Sequence, residues 1–281
     1  MNTHDKDLRD LRLMAARLRR NILLMVPPGK VGHLGGSSSV ADITAALYFH
    51  HMKVFPDPRD PRRDRCVFSK GHAVLAQYAA LGELGYFDKA EFARVKTLKG
   101  VLQGHPDMDY TPGIEAVTGS LGQGLSICLG MALGLRLDGS PARVYCVLGD
   151  GELAEGQVWE AVMAAGAFGV DNLCAIIDQN GLQATDSCEA ILPNPDQATK
   201  WAAFGWHTLE IDGHDLHQVV EALETARATR GRPTVIVANT VKGKGFPFAE
   251  GRVAFHNAAL NEEQYQQALA AVEQMMQEAA Q

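Results

Sequence analysis

The stretch RVYCVLGDG, from Arg143 to Gly151, decides the fold: an apolar run rich in β-branched and aromatic residues ends abruptly in a glycine-flanked aspartate. Such a short apolar run reads as a strand buried on both faces. Three further runs share its character, Leu173 to Ile177, His207 to Ile211 and Thr234 to Ala238. Around them lie stretches with helical spacing, Ser126 to Leu137, Gln157 to Phe168 and Leu216 to Thr229. Strand and helix therefore alternate, and the expected fold class is α/β, a parallel sheet with helices on both faces. Ligands of such sheets collect at the carboxyl ends of the strands. There the sequence places Gly149-Asp150-Gly151, Asp178-Gln179-Asn180-Gly181 and the segment NTVKGKG from Asn239 to Gly245.

Outward from this centre, Leu8, Leu11, Ala15, Leu18 and Ile22 recur at helical spacing until Pro27 and Pro28. They predict an opening amphipathic helix, with Arg9, Arg12, Arg17, Arg19 and Arg20 mostly turned away from its apolar face. Interspersed aspartates favour a solvated helix over a membrane-surface one. A closing helix is expected from about Glu262 to Glu278, and Asp57 to Arg65 reads as a charged loop rather than a domain boundary. The 281 residues are thus expected to form one domain, with 46% apolar residues to supply its core.

Basic residues number 26 against 33 acidic, a net charge of -7, which argues against a protein that tracks a nucleic-acid backbone. Five cysteines without a close C-x-x-C pair suggest buried free thiols in a reducing compartment, hence a cytoplasmic location. The Cys174 and Cys188 pair lies in no evident electropositive niche, so structural thiols are favoured over redox ones. No apolar run approaches the roughly 18 to 20 residues of a membrane span, and the polar start, Met1 to Asp10, does not read as a signal peptide.

Asp150 and Asn180 stand at the ends of consecutive predicted strands, so neighbouring strands would bring their side-chain oxygens together. A carboxylate, an amide oxygen and a backbone carbonyl form a hard oxygen set suited to Mg²⁺, which fills its remaining positions from phosphate and water. Gly151 would allow close approach of a diphosphate, and the helix starting near Gly156 would offer free amides to negative charge. Taken singly, each motif could be only a turn; the pairing on consecutive strands favours the metal–diphosphate reading.

These residues carry a resemblance. GDGELAEGQVWEA, running onward to Asn180, resembles the thiamine diphosphate signature of the transketolase family. GHLGGSSS at Gly32 to Ser39, SKGHA at Ser69 to Ala73, GHPD at Gly104 to Asp107, TGSLGQG at Thr118 to Gly124 and KGKG at Lys242 to Gly245 match that family in order. The chain is similar to the N-terminal, diphosphate-binding subunit of a split transketolase. The resemblance implies that Asp150, Asn180 and the Leu182 carbonyl ligate Mg²⁺, and that His72, Gly151 and Asn180 contact thiamine diphosphate. It places Gly119, Ser120 and Leu121 in the wall beside the cofactor, with Ser120 where single-chain members commonly have proline. Glu155 matches a glutamate of a carboxylate network at the subunit boundary. The resemblance further implies a partner subunit that brings the pyrimidine-binding domain and its activating glutamate, two copies of each chain, and no activity for this chain alone.

Ten histidines are present, and His33, His72 and His105 each follow a glycine, a setting that exposes the ring to a ligand. Splitting a ketose beside its carbonyl takes a proton from a hydroxyl and later returns one, which neutral imidazole does near pH 7. By resemblance His33 and His256 assist these transfers and His105 holds the terminal hydroxyl of a sugar phosphate donor. His256 is followed by Asn257, where the family commonly has glycine. Lys242 and Lys244 either steer an anion or merely solubilise the loop. The implied reaction moves a two-carbon ketol unit from a ketose phosphate to an aldose. The alternatives are a non-catalytic subunit of the same fold, and another thiamine enzyme such as a deoxyxylulose phosphate synthase. A nicotinamide dehydrogenase is disfavoured, because Gly119 to Gly124 has the order G-x-x-G-x-G and no convincing strand before it.

Overall fold

The structure, a computed structural model, describes residues 3–281, with side chains from residue 7 onward, so the beginning of the polar start read at Met1 to Asp10 lies outside the described residues. The strands are β1 (Val31–Gly32), β2 (Arg65–Phe68), β3 (Val144–Gly149), β4 (Leu173–Gln179), β5 (His207–Asp212), β6 (Thr234–Asn239) and β7 (Ala258–Ala259). The helices are α1 (Thr3–Met25), α2 (Leu34–Ser39), α3 (Ala41–Ala46), α4 (Val74–Glu83), α5 (Gln123–Leu137), α6 (Gly156–Ala167), α7 (Cys188–Ile191), α8 (Gln197–Ala203), α9 (Leu216–Ala228) and α10 (Glu262–Ala280). Five strands form a parallel sheet in the order β2-β3-β4-β6-β5, while β1 and β7 form a separate antiparallel pair.

Alternation along each central strand sends side chains to two cores. Tyr145, Val147, Cys174, Ile176, Ile236 and Ala238 pack with residues of α1, α3, α4 and α9 on one face. Val144, Cys146, Leu148, Ala175, Ile177 and Val237 pack with α5, α6 and the Trp201 and Trp206 indoles on the other. Burial on both faces is what the continuous apolar runs require. Cys66, Cys128, Cys146 and Cys174 are buried free thiols, and Cys188 is a half-buried one. No helix among the described residues is long and apolar enough to cross a membrane.

Three expectations are corrected. The sheet has a further strand, β2, beginning at Arg65 where a loop was expected to end. β5 is not buried on both faces; it is an edge strand, and most of its residues are half-exposed. Arg19 does not face solvent with its neighbours: it is 1% exposed and forms a two-pronged ion pair with Asp42 of α3, at 3.0 and 2.6 Å. A buried guanidinium is tolerated because each of its nitrogens is hydrogen-bonded.

Candidate active site

β3 and β4 pair directly, with Gly149 opposite Asp178, so the residues following them emerge side by side. Between them opens a cavity of about 150 Å³ lined by Asp150, Gly151, Asn180, Leu182, Lys70, His72, Leu121, Lys242 and His256, among others. The two side chains thirty positions apart thus share one cavity. Asp150 accepts hydrogen bonds from the Gly151 amide at 2.8 Å and from the Gly181 amide. Burial, then the nearby Asp178 charge, pushes its carboxyl above the usual carboxylate range. The Asn180 amide oxygen accepts from the Leu182 amide at 3.1 Å, and its nitrogen donates to Asp178 at 2.8 Å.

Asp178 is wholly buried behind the lining residues Asn180 and Lys70. Burial opposes its charge, but the Lys70 ammonium and the hydroxyls of Thr240 and Ser39 hold its carboxyl below the usual range. Lys70 also donates to the Gly36 carbonyl at 3.0 Å, tying SKGHA to the start of α2. Glu152, likewise buried, accepts from the Gly122 and Gly149 amides at 2.8 and 3.1 Å and from the Ser69 hydroxyl. It therefore fastens SKGHA, TGSLGQG and GDGE to one another. Burial raises its carboxyl despite these donors. Lys70, Asp178 and Glu152 were not singled out from the sequence; each lies inside or beside one of the motifs, which was the available signal.

Lys242 is 2% exposed, and its ammonium donates to neutral groups, His256 Nδ1 at 3.0 Å and the Gln183 carbonyl at 3.4 Å. Burial, then the Lys70 charge, lowers it to about 8. Lys244 instead turns away, 3.9 Å from Glu250 and outside this cavity.

The pairing of β1 with β7 sets His33, just after β1, beside His256, just before β7. His33 lies 5.6 Å from His256, 5.3 Å from His72 and 5.8 Å from His105 between ring centroids, and His72 lies 4.9 Å from His256. Burial first, and then neighbouring positive charge or imidazole, lowers His33 and His256 to about 4 and His72 to about 2. Burial, then Lys96, also lowers His105. All four rings are therefore neutral near pH 7, and His256 accepts at Nδ1 because an ammonium only donates.

His105 also lines an adjoining cleft of about 500 Å³ with Lys99, Gln103 and Tyr110. Gly119 lies against its ring, where a Cβ would come within 3.5 Å. Leu121 lines the main cavity; Ser120 is exposed and does not. Glu155 is exposed at the N-cap of α6, outside the cavity. The start of α6 does not line the cavity either, because a 3₁₀ turn, Gly151–Ala154, comes between. The Gly119 to Gly124 patch enters α5 from irregular chain, not from a strand.

Among the described residues no group of three or more His, Cys, Asp or Glu is placed to hold a metal. A cation here would draw on one carboxylate, an amide oxygen and a carbonyl, and would need anionic oxygens from elsewhere. The buried Lys242 ammonium, bonded only to neutral groups in the same cavity, supplies the matching attraction for an anion. The residues fit a divalent cation carrying a diphosphate.

Comparison with known proteins agrees. The family described as "Transketolase, thiamine diphosphate binding domain" matches residues 12–275. The chain is 44% identical over 265 residues to the 6-deoxy-6-sulfo-D-fructose transketolase subunit SqwG of Clostridium sp. (strain MSTE9), covering 94% of this chain and 96% of that protein. It is 36% identical over 260 residues to one of the subunits of the apulose-4-phosphate transketolase of Phocaeicola vulgatus, with 92% of each covered. The solved transketolase of Campylobacter jejuni superposes with a TM-score of 0.85 at 32% identity, over 94% of this chain and 42% of that one. The chain thus spans less than half the length of the solved transketolases it matches. A family match running nearly from end to end, on a fold whose strand ends gather the same motifs, means that this chain belongs to the transketolase family, over its thiamine diphosphate-binding domain.

Proposed function

We propose that the chain is the diphosphate-binding subunit of a two-chain transketolase that transfers a two-carbon ketol unit from a ketose phosphate to an aldose. Asp150, Asn180 and the Leu182 carbonyl hold Mg²⁺, and Gly151, His72 and Lys242 face the diphosphate. Thiamine diphosphate, when bound, supplies the carbanion stabilisation on which carbon–carbon cleavage depends. The chain's own residues do the rest. His33, neutral and within one ring cluster with His256, takes a proton from a substrate hydroxyl and returns it, while His256 binds a substrate oxygen and so assists the transfer. With Nδ1 accepting from the Lys242 ammonium, the neutral His256 ring carries its proton on Nε2 and presents that N–H as a donor to a substrate oxygen. His105, in the adjoining cleft, holds the donor's terminal hydroxyl, and Leu121 closes one wall against water.

The remaining half of the site comes from a partner chain that brings the pyrimidine-binding domain and its activating glutamate, in an assembly with two copies of each chain. Support comes from two similar proteins of nearly the same length that are themselves named as subunits. Those relatives are named for a sulfonated ketose and for apulose 4-phosphate, so the donor here is sought among anionic ketoses. Glu155, exposed at the start of α6, belongs to the boundary between chains.

The observation that carries this reading is the shared cavity of Asp150, Asn180 and Lys242. Its test is calorimetric titration of the chain with its partner, using thiamine diphosphate and Mg²⁺. Asp150→Ala is expected to weaken cofactor binding by about a hundredfold; binding that is unchanged in this variant overturns the assignment.

A further inference from the structure

We infer that His214 is a positioning residue for the active-site loop: it grips the Val241 backbone so that Lys242 is held in the cavity. This rests on the reading of that cavity as the cofactor site. His214 follows β5 and does not line the cavity. The turn that carries it presses against the end of β6, since a Cβ on Gly213 would come within 2.5 Å of the Thr240 methyl. The His214 Nε2 accepts the Val241 amide at 2.9 Å. A backbone amide only donates, so the ring proton sits on Nδ1, which donates to Asp42 Oδ2 at 2.8 Å.

Asp42 is in turn fixed by Arg19, and the Arg19 Nε donates to the Lys244 carbonyl at 3.0 Å. One buried ion pair therefore grips the loop on both sides of Lys242, through His214 at Val241 and directly at Lys244. Between these two points the Lys242 side chain runs past Gly35, where an added Cβ would lie 2.8 Å from Lys242 Cγ. The loop has other anchors, Gly243 to the Gly35 carbonyl at 3.0 Å and Gly251 to the Lys242 carbonyl at 2.9 Å. Loss of the imidazole thus loosens the loop without unfolding it.

The two ring nitrogens have separate jobs, which gives an ordering of variants. In His214→Gln the amide oxygen reaches the place of Nε2 and still accepts from Val241. In His214→Asn the shorter amide reaches only the place of Nδ1, keeping Asp42 but releasing Val241. Hydrogen exchange of the cofactor-free chain reads the contact directly. The Val241 amide is expected to exchange about tenfold faster in His214→Asn and His214→Ala than in the wild type or His214→Gln. In the complex with its partner, affinity for thiamine diphosphate with Mg²⁺ falls in the same order, while kcat at saturating cofactor stays within about twofold, because the ring touches no reacting atom. Equal exchange at Val241 in all four proteins overturns the inference, as does a wild-type-like His214→Asn beside a loosened His214→Gln. If the wild-type complex takes up no cofactor, the functional reading fails, and the exchange data still decide whether the grip exists.

Discussion

Lys242 is a buried ammonium among neutral partners, so its removal has two effects of opposite sign. Lys242→Met is expected to raise the urea midpoint of the cofactor-free chain, because burial and the Lys70 charge outweigh the attraction of Asp178 and Asp150 for this ammonium, and an apolar side chain of similar reach avoids that cost. The same change weakens thiamine diphosphate binding by about tenfold or more, since a charge-assisted contact to the diphosphate is lost. A variant that is both less stable and equally tight would contradict both halves of that expectation. That Asp150 and Asn180 come together was legible because both were read at the ends of neighbouring strands, whereas His33, His72 and His105 stood out only by the glycine before each and by the resemblance. Lys70 and Asp178 were not: a lysine after Ser69 reads as solvated, and its burial against Asp178 exists only once β2 and β4 share a sheet. The role of Lys242 was left open for the same reason, since only the fold separates it from Lys244, which is half-buried and outside the cavity.

At the level of elements, the site depends on loops that touch through glycine. Gly71 lies so close to the Thr118 backbone that a Cβ would come within 2.8 Å of it. Gly71→Ala is therefore expected to push SKGHA and TGSLGQG apart, displacing His72, at a loss of about 1–3 kcal/mol of stability. Chemical denaturation measures the first effect and cofactor titration the second; a neutral result in both would show that the loops have slack. The long central strands and the helices α1, α5, α6, α9 and α10 were readable from periodicity, with boundaries shifted by a few residues. β2 was missed because only four residues form it, directly after the charged stretch Asp60 to Asp64. β1 and β7 have two residues each, too few for any period to register. The buried side of α1 was legible except at Arg19, whose partner Asp42 comes from another helix.

For the whole molecule, the neutral histidines tie stability to pH. His33, His72 and His256 would titrate near 6.5 in an unfolded chain but are lowered to about 4, about 2 and about 4 in the fold. Between those values the unfolded chain binds more protons than the folded one, so stability falls as pH drops from about 6.5 toward 4. Replacing all three with asparagine is expected to make that part of the curve shallower in denaturant titrations across pH, with His51, which burial also lowers to about 4, keeping part of it; an unaltered slope would place the dependence elsewhere. The α/β architecture was legible because both faces of the sheet demand apolar runs. The order β2-β3-β4-β6-β5 was not, since nothing local records that β6 inserts between β4 and β5.

The short ladder of Val31–Gly32 with Ala258–Ala259 joins segments that lie far apart in the sequence. During synthesis the strand ends that carry Asp150 and Asn180 emerge before His256 does. A nascent chain can therefore complete its five-stranded sheet, whose last strand ends at Asn239, while its imidazole cluster still lacks a member.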